Sequence, residues 1–87
     1  MDDKLFKRNS QQREVILDEL QKLYSHPTAA TLYEAVRKRL PRISLGTVYR
    51  NLDLMAKKGL IKKLEFGGSE ARFDGNPDQH FHIFHIS

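Results

Sequence analysis

The chain has no cysteine, so neither a disulfide nor a thiolate metal site is open to it, which fits a reducing compartment. Long apolar runs are missing as well. No stretch approaches the roughly 18 residues of a membrane span, and the opening MDDKLFKRNS lacks the apolar centre of a secretory signal. Repeats, low-complexity tracts and linkers are absent. What remains is one small domain of 87 residues, expected to be cytoplasmic, with 39% hydrophobic residues for a single modest core.

One scarcity is local. From Arg37 to Lys63 there is a single acid, Asp53, among nine basic residues: Arg37, Lys38, Arg39, Arg42, Arg50, Lys57, Lys58, Lys62 and Lys63. Of the 15 basic and 11 acidic residues in the chain, six and ten are left for the two ends, and the net charge is +4. A basic middle in a neutral-to-acidic frame is the footprint of a polyanion binder, or of a solvated surface with no partner.

The punctuation predicts three helices and a hairpin. Ser10 is placed as N-cap of QQREVILDELQKLY, where Ile16, Leu17, Leu20 and Leu23 recur at helical spacing. Pro27 breaks the pattern, and Thr28 caps AATLYEAVRKRL, with Leu32, Val36 and Leu40 as its stripe and its cations in the last turn. Pro41 stops that segment. Ser44 caps LGTVYRNLDLMAKK, and Gly59 sits where a left-handed residue commonly ends a helix. LIKKLEF and EARFD around Gly67-Gly68 read as a β-hairpin, GNPD as a loop, and HFHIFHIS as a further strand. The fold class is mainly α with a small β wing, a winged helix-turn-helix.

In the third helix Leu45, Val48, Leu52 and Met55 form the spacing of a buried seam. At about 100° per residue Arg50 lies opposite that seam, Gly46 and Thr47 face outward, and Tyr49 sits on the flank. A small-residue end followed by a hydroxyl, an aromatic ring and a guanidinium suits a recognition helix. Arg can pair with guanine in the major groove, and a ring can meet a thymine methyl. Lys62, Lys63 and Arg72 on the hairpin would contact phosphates, fixing register without reading sequence. A Tyr49 packed at the core edge and a merely solvated Arg50 are the plainer alternative.

Of the four histidines, three fall in the closing HFHIFHIS. On a strand, His80 and His82 share a face and can aim at one ion, while His85 points the other way. Asp74 lies upstream beyond a bend, and His26 sits at a helix break. Imidazoles with one carboxylate suit Fe2+, Mn2+ or Zn2+. Each histidine can equally be a packed or capping residue.

The motifs HPTA…LY, ISLGTVYRNL and RFDGNPDQHFH together resemble the ferric uptake regulator family of metal-dependent bacterial transcription factors, over almost the whole chain from RNSQQREVIL onward. The resemblance implies a winged-helix DNA-binding domain over residues 1–79. Residues 80–87 would then be the hinge and the start of a C-terminal dimerisation domain that this sequence does not include. It implies base contacts from Tyr49 and Arg50, a minor-groove contact from Arg8 just before the first long helix, and the family's usual arginine at Arg13. It implies a regulatory metal site at His26, Asp74, His80 and His82, where a divalent metal favours the DNA-binding arrangement of a homodimer only through tighter binding to it. The operator would be an A·T-rich, near-palindromic duplex. A carboxylate such as Asp74 in this site also occurs in the peroxide-sensing branch. Most relatives carry at position 85 the first cysteine of a structural zinc site, where this chain has His85.

Two other readings compete. The same fold could bind an acidic protein partner through its basic face. A small metallohydrolase is the third reading, against which stand the lack of a base beside His80 and His82 and the small core.

Overall fold

The computed structural model describes residues 3–76, with side chains from Asn9 onward, and has three helices followed by a two-stranded sheet. These are α1 (Asp3–Gln21), α2 (Ala29–Val36), α3 (Leu45–Lys57), β1 (Lys62–Leu64) and β2 (Arg72–Asp74). The strand expected at HFHIFHIS lies outside the described residues.

Capping explains where α2 and α3 begin and where α3 ends. The Thr28 Oγ1 accepts the Thr31 N–H at 3.2 Å, and the Ser44 Oγ accepts the Thr47 N–H at 3.1 Å, so each hydroxyl satisfies an orphan donor of the first turn. α3 closes on Gly59 at φ 78°. The Gly59 N–H donates to the Ala56 carbonyl at 3.1 Å and the Leu60 N–H to the Met55 carbonyl at 2.9 Å, the paired bonds of a Schellman motif.

Two helix boundaries differ from expectation. Ser10 is no cap: it lies inside α1, which starts at Asp3 because no glycine or proline in the preceding residues interrupts the helix. Its hydroxyl instead accepts a long 3.4 Å bond from the Arg13 guanidinium. Arg8 is likewise within α1 rather than before it. α2 ends at Val36, so its cations follow the helix and do not occupy its last turn. The chain leaves α2 through tight turns, with the N–H groups of Arg39 and Leu40 both donating to the Val36 carbonyl at 2.9 Å. Pro41 disfavours helical geometry at Leu40, and the early exit brings Leu40 against the core and buries Ile43.

One core joins the three helices, β2 and the residue leading into β1. Ile16 and Leu20 of α1, Leu32 and Val36 of α2, Val48, Leu52 and Met55 of α3, Ile61 ahead of β1 and Phe73 of β2 are buried together. Each such side chain contributes about 1.5–3 kcal/mol relative to exposure. β1 and β2 pair antiparallel with Lys62 opposite Asp74, Lys63 opposite Phe73 and Leu64 opposite Arg72. The hairpin turns at Phe66–Ser69, where Gly68 at φ 81° supplies a left-handed position.

The wing is also tied to the α1–α2 link. The Phe73 N–H donates to the Pro27 carbonyl at 3.0 Å, and Thr28 bridges to Arg72. Past β2, Gly75 packs so closely that a Cβ there would lie 2.9 Å from Leu20 Cγ. Across this contact the Gln21 side chain donates to the Gly75 carbonyl, and the Asn76 side chain to the Gln21 carbonyl.

Candidate nucleic-acid interface

α3 divides by burial. Val48 and Leu52 are completely buried and Met55 nearly so, while Gly46, Tyr49 and Arg50 are exposed. Leu45, expected in the buried seam, is 43% exposed. It belongs to the first turn, beyond the edge of the core, and lines a shallow groove with Ala29, Ala30, Tyr49 and Ala71. A Cβ at Gly46 would meet only the Ser44 Oγ, at 3.9 Å, so internal packing does not require a glycine there. Its smallness keeps the start of the helix open to an approaching surface, at the positive end of the helix dipole.

Thr47 is half-buried in the capping turn, its Oγ1 accepting from Ser44 at 3.0 Å and its carbonyl from Asn51 at 2.8 Å. Tyr49 keeps 40% of its surface exposed yet stands on Phe73, edge to face, with ring centroids 6.2 Å apart and planes at 88°. Arg50 is exposed and has no ion pair among the described residues.

The wing's cations point to different places. Strand alternation sends Lys62, exposed, to one face and Lys63 to the other, under α3. The Lys63 ammonium lies 3.2 Å from Asp53 and 5.9 Å from the centre of the Tyr49 ring. The neighbouring carboxylate raises its pKa, chiefly through the hydrogen bond from Lys63 to Asp53. Arg72 is exposed and donates to the His26 carbonyl at 3.1 Å. Arg13 is half-buried in the middle of α1, and the Arg8 side chain lies outside the described residues. Asp53 and Phe73, which support Tyr49 and Lys63, belong to no motif that marks them for a site. The signal was there in Asp53, the one acid of the basic stretch.

Not every cation of that stretch is available. Arg39 donates to Asp18 at 2.7 Å and Glu19 at 2.8 Å, tying the turn after α2 to α1, and its hydrogen bonds are the main reason both carboxyls are held below the usual carboxylate range. Arg37 pairs with Glu34 at 3.4 Å and lies over the Tyr33 ring. Lys38, Arg42, Arg50, Lys57, Lys58 and Lys62 have no ion pair among the described residues.

A second cluster lies across the wing. His26 holds a left-handed backbone at φ 57°, uncommon for a residue with a side chain, and the Arg72 bond to its carbonyl, with the Phe73 bond to the Pro27 carbonyl beside it, fixes it there. Its Nε2 is 3.7 Å from Asp74 Oδ2, while Asp74 Oδ1 accepts the Asn76 N–H at 2.9 Å. Two ligands of one tetrahedral zinc ion stand about 3.4 Å apart, so this pair is close to the spacing a single small cation requires. Among the described residues no group of three or more metal-ligating side chains gathers, and His80 and His82 lie outside them.

The arrangement has counterparts. The Peroxide-responsive repressor PerR of Staphylococcus epidermidis is 41% identical over 76 residues, which are 87% of this chain and 51% of that protein. The crystal structure of the Campylobacter jejuni peroxide stress regulator superposes with a TM-score of 0.70 at 29% identity, over 85% of this chain and 58% of that one. FurB from M. tuberculosis, a zinc uptake regulator, gives a TM-score of 0.68 at 34% identity, over 77% and 52%. The chain thus spans about half the length of these relatives. The sequence profile of the Ferric uptake regulator family matches residues 6–87, and this chain, a winged helix of three helices and a two-stranded wing, belongs to that family.

Proposed function

We propose that this chain is the DNA-binding part of a metal-responsive transcriptional repressor and that α3 reads the major groove of an A·T-rich, near-palindromic duplex. The carrying observation is the division of α3, with Val48, Leu52 and Met55 hidden while Gly46, Tyr49 and Arg50 face solvent beside a basic wing. Arg50 would pair with guanine and the Tyr49 ring would meet a thymine methyl. Lys62 and Arg72 would grip phosphates, with Arg13 and Arg8 of α1 on the neighbouring backbone and minor groove. We assign pairing of two copies to a C-terminal domain, for which relatives of about twice this length have room.

We assign a divalent metal, Fe2+, Mn2+ or Zn2+, to His26 and Asp74 together with His80 and His82. The spacing of the first two supports that donor set. Bound there, the metal would act as a Lewis-acid cross-link between the wing and whatever follows it. The chain's own contribution is to hold the His26 backbone and the Asp74 carboxylate in place through Arg72 and Asn76. The name of the Staphylococcus relative favours peroxide as the signal.

The test is a titration of the chain with an A·T-rich palindromic duplex and with a random duplex across a range of salt. Affinity should fall with a log–log slope of roughly −0.9 for each phosphate contacted, and the random duplex should bind more weakly at every salt. Equal affinity for both with no salt slope would leave an acidic protein partner as the better reading.

A further inference from the structure

Two side chains of the wing, Lys63 and Phe73, lie against the Tyr49 ring, and Asp53 of α3 holds the first of them. Asp53 follows Tyr49 by one turn of α3, so the two share a helix face. Lys63 and Phe73 are opposite each other in the hairpin and therefore project to the same side of the sheet. Phe73, fully buried, presents its ring at 88° to Tyr49, and the Lys63 ammonium lies 5.9 Å from the Tyr49 centroid while bonded to Asp53 at 3.2 Å. Glu65 adds a second carboxylate 3.9 Å from that ammonium.

A lysine that serves phosphates is ordinarily free and solvated, as Lys62 is on the opposite face. Lys63 has two carboxylates beside it instead. A phosphate brought to it would be a third anion within a few ångströms of Asp53 and Glu65, and the repulsion would offset much of the gain. Holding Tyr49 is the role left to Lys63: a cation and a second aromatic ring against it restrict how the part-exposed side chain can swing.

We propose that Asp53 and Lys63 are positioning residues for base recognition, with Asp53 anchoring Lys63 against the Tyr49 ring so that the ring meets the groove in one orientation, and that Lys63 does not itself contact phosphate. The inference rests on the reading of α3 as a recognition helix. It gives the single acid of the basic stretch a purpose, since Asp53 aims the residue that reads.

The experiment begins with selection of a preferred duplex from a randomised pool by the unaltered chain. Affinity for that duplex and for a scrambled duplex of equal composition is then measured across salt for Lys63→Met, Asp53→Asn and the double variant. Lys63→Met should lower the ratio of the two affinities roughly two- to five-fold, the size of an exposed cation–aromatic contact, with the salt slope unchanged. Asp53→Asn should lower it similarly, and the double variant should be no worse than either single one, because the two residues act as a unit. Lys62→Ala, the control, should reduce the slope by about one contact and keep the ratio. The positioning role is overturned if Lys63→Met itself removes about one contact from the slope, or if Asp53→Asn tightens binding to both duplexes by releasing the ammonium. It is equally overturned if a selected preference survives both substitutions unchanged. An unaltered chain with no preferred duplex would remove the recognition-helix reading, and this role with it.

Discussion

Arg39 and Arg50 belong to the same basic stretch and do opposite things. Arg39 bridges two carboxylates of α1 at 2.7 and 2.8 Å, and its charge is matched within the chain although it lies at the surface. Arg50 stands exposed on α3 with no ion pair among the described residues. The corner between α1 and the turn after α2 is therefore a joint whose cation already has its partners, while α3 and the wing present cations that have none among the described residues. Counting cations along the chain does not separate the two regions; asking which carboxylates the fold brings to each cation does. Lys62 and Lys63 repeat the lesson at adjacent positions, one free and one held.

Substitutions can break this contrast in order of effect. Leu52→Ala, on the hidden side of α3, should cost about 2–5 kcal/mol of stability, read from denaturant unfolding. An unchanged midpoint would mean that α3 is not packed on that side. Arg50→Ala, on the outer side of the same helix, should leave unfolding alone and weaken the preferred duplex by about 1–3 kcal/mol while relaxing base preference. A uniform loss over all duplexes would take Arg50 out of the reading role. Lys62→Ala should weaken every duplex alike and lower the salt slope by about one unit.

Arg39→Ala should have the smallest effect, on stability rather than on DNA. Asp18 and Glu19 are held below their ordinary range, first by the hydrogen bonds from Arg39. A carboxyl depressed in the folded state adds stability that is present above its unfolded pKa and lost as pH falls through the folded value. The difference in Tm between the unaltered chain and Arg39→Ala should thus be present at pH 7 and shrink on acidification below about pH 4. A difference that grows in acid would refute the clamp.

Much of the fold was legible in the residues because its signals are local. Thr28, Ser44 and Gly59 each act within one turn, and the helix order follows from them and from Pro27. Ser10 misled because a good capping residue caps only where the helix starts, and nothing upstream of it interrupts the helix. α2 stops at Val36 before its apparent stripe ends, since Leu40 and Ile43 reach the core by leaving the helix. Leu45 has seam spacing but sits beyond the core's edge. The exposure of Tyr49 and Arg50 could be read from periodicity. The pairs Arg39 with Asp18, Lys63 with Asp53 and His26 with Asp74 could not, because each joins residues that only the tertiary packing brings together.

The most direct measurement is a titration of the isotopically labelled chain with duplex DNA, followed residue by residue through its backbone amide NMR signals. We expect the largest changes at Gly46, Thr47, Tyr49 and Arg50 and on the wing at Lys62, with the joint around Asp18, Lys22 and Arg39 little affected. Changes concentrated at that joint, or none on α3, would contradict the assignment of α3 as the recognition helix.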